Sequence, residues 1–153
     1  MNDTETPALV HPLRRLAAMA YDTVLLAGTL ILAGIPWAVF GANDETGYIS
    51  DEPQKTLFFI WNVALIFGYF ALGWCRGGRT LGMRSWRLQL VTRDGAPVTV
   101  GHALRRFAAA FPAWLPLGAG VLWQYVDRDG LTWHDRLSGT RLVQLNKPQK
   151  KTR

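Results

Sequence analysis

The chain has 153 residues, 49% of them hydrophobic, and a formal net charge of +6. One domain is expected at that length, and the single cysteine, Cys75, excludes an internal disulfide and a cysteine-built metal centre. Only 18% of residues are charged, and Lys and Arg gather between apolar runs. That pattern fits the cytoplasmic bias of a polytopic membrane protein better than a nucleic-acid-binding surface.

Residues 1–12 (MNDTETPALVHP) are polar, hold two prolines and read as a loose tail. Arg14 and Arg15 then mark a membrane boundary. Residues 16–40 form the first apolar run, with Asp22 as its sole charge. Twenty-five helical residues span about 37 Å, enough to cross a hydrocarbon core of about 30 Å. That length and the aspartate both argue against a cleaved signal peptide, whose apolar core is about 7 to 15 residues. A carboxylate at the centre of such a helix costs about 2.5 to 3.5 kcal/mol. Asp22 therefore asks for a partner.

Residues 41–55 make an acidic loop, with Asp44, Glu45, Asp51 and Glu52 against Lys55. The second span is expected over residues 57–75, about 28 Å long. Gly68 and Gly73 within it allow close helix approach, and Asn62 reads as interhelical glue. Residues 76–106 then carry seven arginines against one acid, Asp94. Positive-inside logic places this loop and the N-terminus in the cytoplasm and the acidic loop outside. The glycines Gly77, Gly78 and Gly82 lack the GK[ST] of a phosphate loop and read as a tight turn. Residues 86–91 alternate as a strand, Arg93-Asp94-Gly95 signals a turn, and residues 98–100 are a candidate return strand. A small cytoplasmic β-hairpin is the expectation.

Residues 107–126 form a third apolar segment interrupted by Pro112 and Pro116. It reads either as a spanning helix or as a Pro-broken re-entrant hairpin. Two features favour the hairpin. A third crossing would carry the basic tail, residues 147–153, to the outside. Residues 141–145 also form a strand candidate like residues 87–91; two such lone strands are expected to pair, and pairing needs both on the same side.

Seven residues separate Arg15 from Asp22, which puts both on one helix face about 10.5 Å apart along the axis. That face should look into a bundle, because lipid does not solvate charge. The candidate partners of Asp22 are Arg106 and Arg84. Those of Arg15 are Asp135 and Asp127. His134 beside Asp135 is not a convincing metal or acid–base pair, since adjacent helical residues point about 100° apart and no second histidine stands at ligand spacing.

Four motifs in order, RRLAAMAYD (residues 14–22), GGRTLGMRSWRLQLVTRDG (77–95), ALRRF (103–107) and LTWHDRLSGTRLV (131–143), resemble the RDD family of membrane proteins. The resemblance extends over about residues 10–146. It implies that the arginine and two aspartates for which the family is named correspond to Arg15, Asp22 and Asp135. Trp133 and His134 depart from the plainer residues of many members. The resemblance further implies a mostly bacterial integral membrane protein, in a family of unresolved molecular function for which transport, including sodium/proton antiport, has been suggested.

The expected fold is thus an all-α membrane protein. It has two transmembrane helices, the third apolar segment and the small hairpin, organised as a tail (1–12), a transmembrane domain (13–146) and a basic tail (147–153). The expected role is an accessory or structural subunit of the bacterial inner membrane, with a buried charge network of Arg15, Asp22, Arg84, Arg106 and Asp135. The alternative is a small cation/proton antiporter using Asp22, which at this size needs an oligomer to enclose a path. No enzymatic activity, cofactor, metal or nucleic acid is expected. The expected partners are the lipid bilayer and either further copies of the chain or a larger membrane complex.

Overall fold

The computed structural model describes residues 10–40, 52–114 and 118–145. The N-terminal tail up to residue 9, most of the acidic loop, Pro116 and the basic tail lie outside them. Helix α1 (Pro12–Phe40) begins with proline at its first position, where the missing N–H costs nothing. The His11 carbonyl accepts from the N–H of Arg14 at 3.0 Å. Helix α2 (Glu52–Cys75) runs for 24 residues, and Trp74 is its one buried side chain. Both helices are long and apolar enough to cross a membrane. Their outward faces carry large bare side chains such as Val24, Ile31 and Phe59, as a helix facing lipid would.

A glycine turn closes α2. Gly78, at φ +69°, donates to the Trp74 carbonyl at 2.9 Å, and Arg79 donates to that of Gly73 at 2.8 Å. Gly78 also accepts from the N–H of Leu90 at 2.6 Å, which leaves no room for a Cβ beside the strand. Thr80 caps the short helix α3 (Leu81–Ser85), accepting from the N–H of Met83. Strand β1 (Leu88–Thr92) follows, with Leu88, Leu90 and Thr92 on its buried face.

The partner of β1 is not residues 98–100. It is β2 (Thr140–Gln144), antiparallel, with Leu90 opposite Leu142 and Thr92 opposite Thr140. The expected local hairpin is therefore corrected, and the pairing expected between residues 141–145 and residues 87–91 is the one that forms. The Arg93-Asp94-Gly95 turn does form, with Gly95 at φ +80°, but the N–H of Thr92 then bonds to the Ala96 carbonyl and ends the strand. Val98 tucks into the core, and Val100 already opens helix α4 (Val100–Trp114).

Helix α4 buries Ala103, Arg106, Ala109 and Ala113, a stripe at helical spacing. Pro112 lies inside it rather than ending it. The chain resumes in α5 (Ala119–Leu122), and Gly120 packs so closely that a Cβ there would stand 2.6 Å from the Ala113 Cα. A 3-10 turn (Trp123–Tyr125) leads on to α6 (Trp133–Ser138). Thr132 and Asp135 form a reciprocal capping box at its start, and Gly139, at φ +68°, ends it and launches β2. The buried core gathers where α1, α2, α3, α4 and the sheet meet, around Ala18, Trp74, Met83, Leu88 and Leu90.

Candidate functional site

The sequence-predicted charges separate into two buried centres. The first is Asp135, fully buried at 0% exposure. Arg15 from α1 donates to its Oδ2 at 2.9 Å, and Arg106 from α4 donates to its Oδ1 at 2.6 Å. The same guanidinium nitrogens reach threonine hydroxyls: Arg15 to Thr132 at 3.1 Å and Arg106 to Thr140 at 2.8 Å. The backbone N–H of Thr132 adds a bond to Oδ2. Arg106 also lies over the Trp74 ring, 5.5 Å from its centroid, a cation–π contact.

Burial alone would raise the Asp135 carboxyl pKa, but the guanidiniums of Arg106 and Arg15 reverse that and hold it well below the usual carboxylate range. His134 goes the same way for other reasons. Burial and then the charge of Arg106 push its imidazole down to about 3, so it is neutral at physiological pH.

The second centre is Asp22, 5% exposed. Among the described residues no arginine pairs with it. Tyr69 Oη donates to Oδ1 at 2.6 Å, Thr80 Oγ1 donates to Oδ2 at 2.5 Å, and the N–H of Gly82 donates to Oδ1 at 2.8 Å. Both expected partners are thus corrected. Arg106 is committed to Asp135, and Arg84 sits exposed on α3. The reason is steric. Gly82 brings the start of α3 so close to α1 that a Cβ there would overlap the Ala18 carbonyl, and this backbone and its capping threonine hydrogen-bond the carboxylate. Asp127, the alternative partner of Arg15, instead binds Arg136 at 2.7 Å near the surface. The N–H of Leu131, then Arg136, lower its pKa.

A half-open cavity of about 340 Å³ lies between the two centres. Arg15, Asp22, Arg106 and His134 contribute to its wall, and the rest is almost wholly apolar. Among the described residues no group of His, Cys, Asp and Glu side chains is arranged to hold a metal ion.

Thr132 was legible in the sequence, because Thr-x-x-Asp ahead of a helix is a capping-box pattern. Tyr69 and Thr80 left no such signal. They lie 47 and 58 residues from Asp22, and nothing local marks them as its donors.

Two long apolar helices, the first of them tied to α6 by the buried Arg15–Asp135 contact, define a membrane protein of the small helical class. The chain belongs to the RDD family, whose model matches residues 9–139, and RDD proteins are membrane proteins. No curated protein and no solved structure matches it.

Proposed function

We propose that the chain is an accessory or structural subunit of a multi-pass inner-membrane assembly, with Asp135 as a clamp and no enzymatic activity of its own. The observation that carries this reading is the saturation of Asp135. Both its oxygens are taken by guanidiniums from α1 and α4, and its side chain is wholly enclosed. A carboxylate so enclosed is closed to a substrate, yet it joins segments 120 and 29 residues apart in sequence. Breaking such a buried pair strands the other charge and costs about 3 to 5 kcal/mol. The bilayer is one partner, and further copies of the chain or a larger membrane complex are the others.

In this reading the N-terminus is cytoplasmic and the third apolar segment re-enters. The close packing of α5 on α4 and the pairing of β2 with β1 support a return to the face that holds β1. Placing a cysteine at Lys150, with Cys75 replaced by serine, tests this. Labelling from the cytoplasmic side is expected, and labelling only from the outside would overturn it.

One observation favours the second reading, cation/proton antiport by an oligomer. Asp22 is held by neutral donors alone and lines the cavity. An intramembrane carboxylate without a fixed counter-cation is the kind of group that exchanges a proton for a cation. Reconstitution in proteoliposomes decides between the two. The clamp reading expects no cation/proton exchange from either the native chain or Asp22→Asn. Exchange by the native chain that vanishes in Asp22→Asn at unchanged abundance would replace it with antiport.

A further inference from the structure

The clamp uses only part of the cationic surface at the cavity's polar end. Two guanidiniums, Arg15 and Arg106, share a single carboxylate there. Arg15 Nε and His134 Nδ1 are buried and find no hydrogen-bond partner among the described residues. Both residues are more than nine-tenths buried, at 5% and 4% exposure, and both line the cavity. An unmet guanidinium N–H and an unpartnered imidazole nitrogen beside an uncompensated positive charge call for an anion.

The rest of the cavity describes what that anion is attached to. Its wall runs along α1 from Arg15 to Leu26, about 16 Å at helical rise. Phe107 and Ala110 of α4 also line it. The volume of about 340 Å³ is at the lower end for small-molecule sites and equals the share of about eleven waters. Apolar walls of this kind do not hold a column of water well, but they suit an aliphatic chain. Asp22 shares the wall, yet three donors already hold its oxygens, and it stands about 10.5 Å along the helix from Arg15.

We propose that the cavity binds one membrane amphiphile, with its anionic phosphate or carboxylate headgroup on Arg15 and His134 and its aliphatic chain along Leu26, Phe107 and Ala110. His134 donates from Nδ1–H in the neutral tautomer, and Arg15 donates from Nε while its terminal nitrogen keeps the bond to Asp135. Binding and clamping are therefore compatible, and the inference stands apart from the chain's larger role.

The test uses the full chain in an uncharged detergent, with thermal midpoints measured against dodecyl phosphate, dodecanol and inorganic phosphate. Dodecyl phosphate should raise the midpoint saturably and bind at least about tenfold more tightly than dodecanol. Inorganic phosphate at the same concentration should give no comparable shift. Ala110→Phe on α4 and Leu26→Trp on α1 fill the chain's path without replacing the arginines, and each should abolish the dodecyl phosphate shift. Equal responses to dodecyl phosphate and dodecanol would overturn the proposal. So would a full response to inorganic phosphate alone, which would make the site one for a free anion, or a response that survives both blocking variants.

Discussion

Asp22 and Asp135 are both buried aspartates with both oxygens occupied, yet they are satisfied by opposite means. Asp135 is held by two cations, and Asp22 by two hydroxyls and a backbone N–H. The first arrangement locks distant segments by charge. The second neutralises nothing and depends on a close backbone approach at Gly82. In a low-dielectric setting this difference decides what each substitution costs, because a stranded charge is dearer than a lost hydrogen bond.

The largest effect should come from Asp135→Asn. It leaves Arg15 and Arg106 buried without a counter-charge and is expected to destabilise the protein by about 3 to 5 kcal/mol. Unfolding in detergent and abundance in the membrane both report it. Asp22→Asn should cost less, about 1.5 to 3 kcal/mol, because it weakens charge-assisted hydrogen bonds but strands no cation. Equal losses from the two asparagine variants would erase the distinction between the centres.

A smaller, graded effect should appear with acid. His134 has a folded pKa of about 3 against an ordinary 6.5, lowered chiefly by burial. The unfolded chain therefore takes up this proton first as pH falls. The stability His134 contributes is present above pH 6.5 and is lost progressively toward pH 3. Asp135, also lowered, adds its own loss below the ordinary carboxylate pKa of 3.8. Between pH 6.5 and 5.5 the expected loss is on the order of 1 kcal/mol, and His134→Gln should flatten the profile there. A native profile that is flat from pH 7 to 4.5 would contradict the burial of a neutral His134. The smallest effect belongs to Arg84, exposed and outside both centres, where Arg84→Gln should change stability by no more than about 0.5 kcal/mol.

The sequence makes the two spans and the inward-facing charges legible, but not the contrast between the two centres. Unbroken apolarity announces α1 and α2, and the phase of Arg15 with Asp22 on one face correctly sends both inward. The pairing of Arg15 with Asp135 is one of the two candidates the sequence offers, beside Asp127, because a buried arginine needs an acid. The partners of Asp22 are not legible in the sequence for a physical reason. A sequence shows charges and so points to arginines, whereas hydroxyls and amides solvate a carboxylate just as well where a glycine lets a helix start draw near. The strands show the same limit. Alternation marks residues 88–92 as a strand, but the choice between a local partner and residues 140–144 rests on tertiary packing that local pattern does not encode. The break expected near Pro112 to Pro116 does not fall at Pro112 itself, which α4 carries two residues before Trp114; a second helix begins at Ala119, and residues 115–117 lie outside the described ones.

A double-mutant cycle between Asp135→Asn and Arg106→Gln, read by equilibrium unfolding in nanodiscs, tests the clamp most directly. Residues joined by a direct buried ion pair should give a coupling energy of about 2 kcal/mol or more, while Asp22→Asn with Arg106→Gln should be additive within about 0.5 kcal/mol. Additivity in the Asp135 cycle, or equal coupling in the two, would contradict the account.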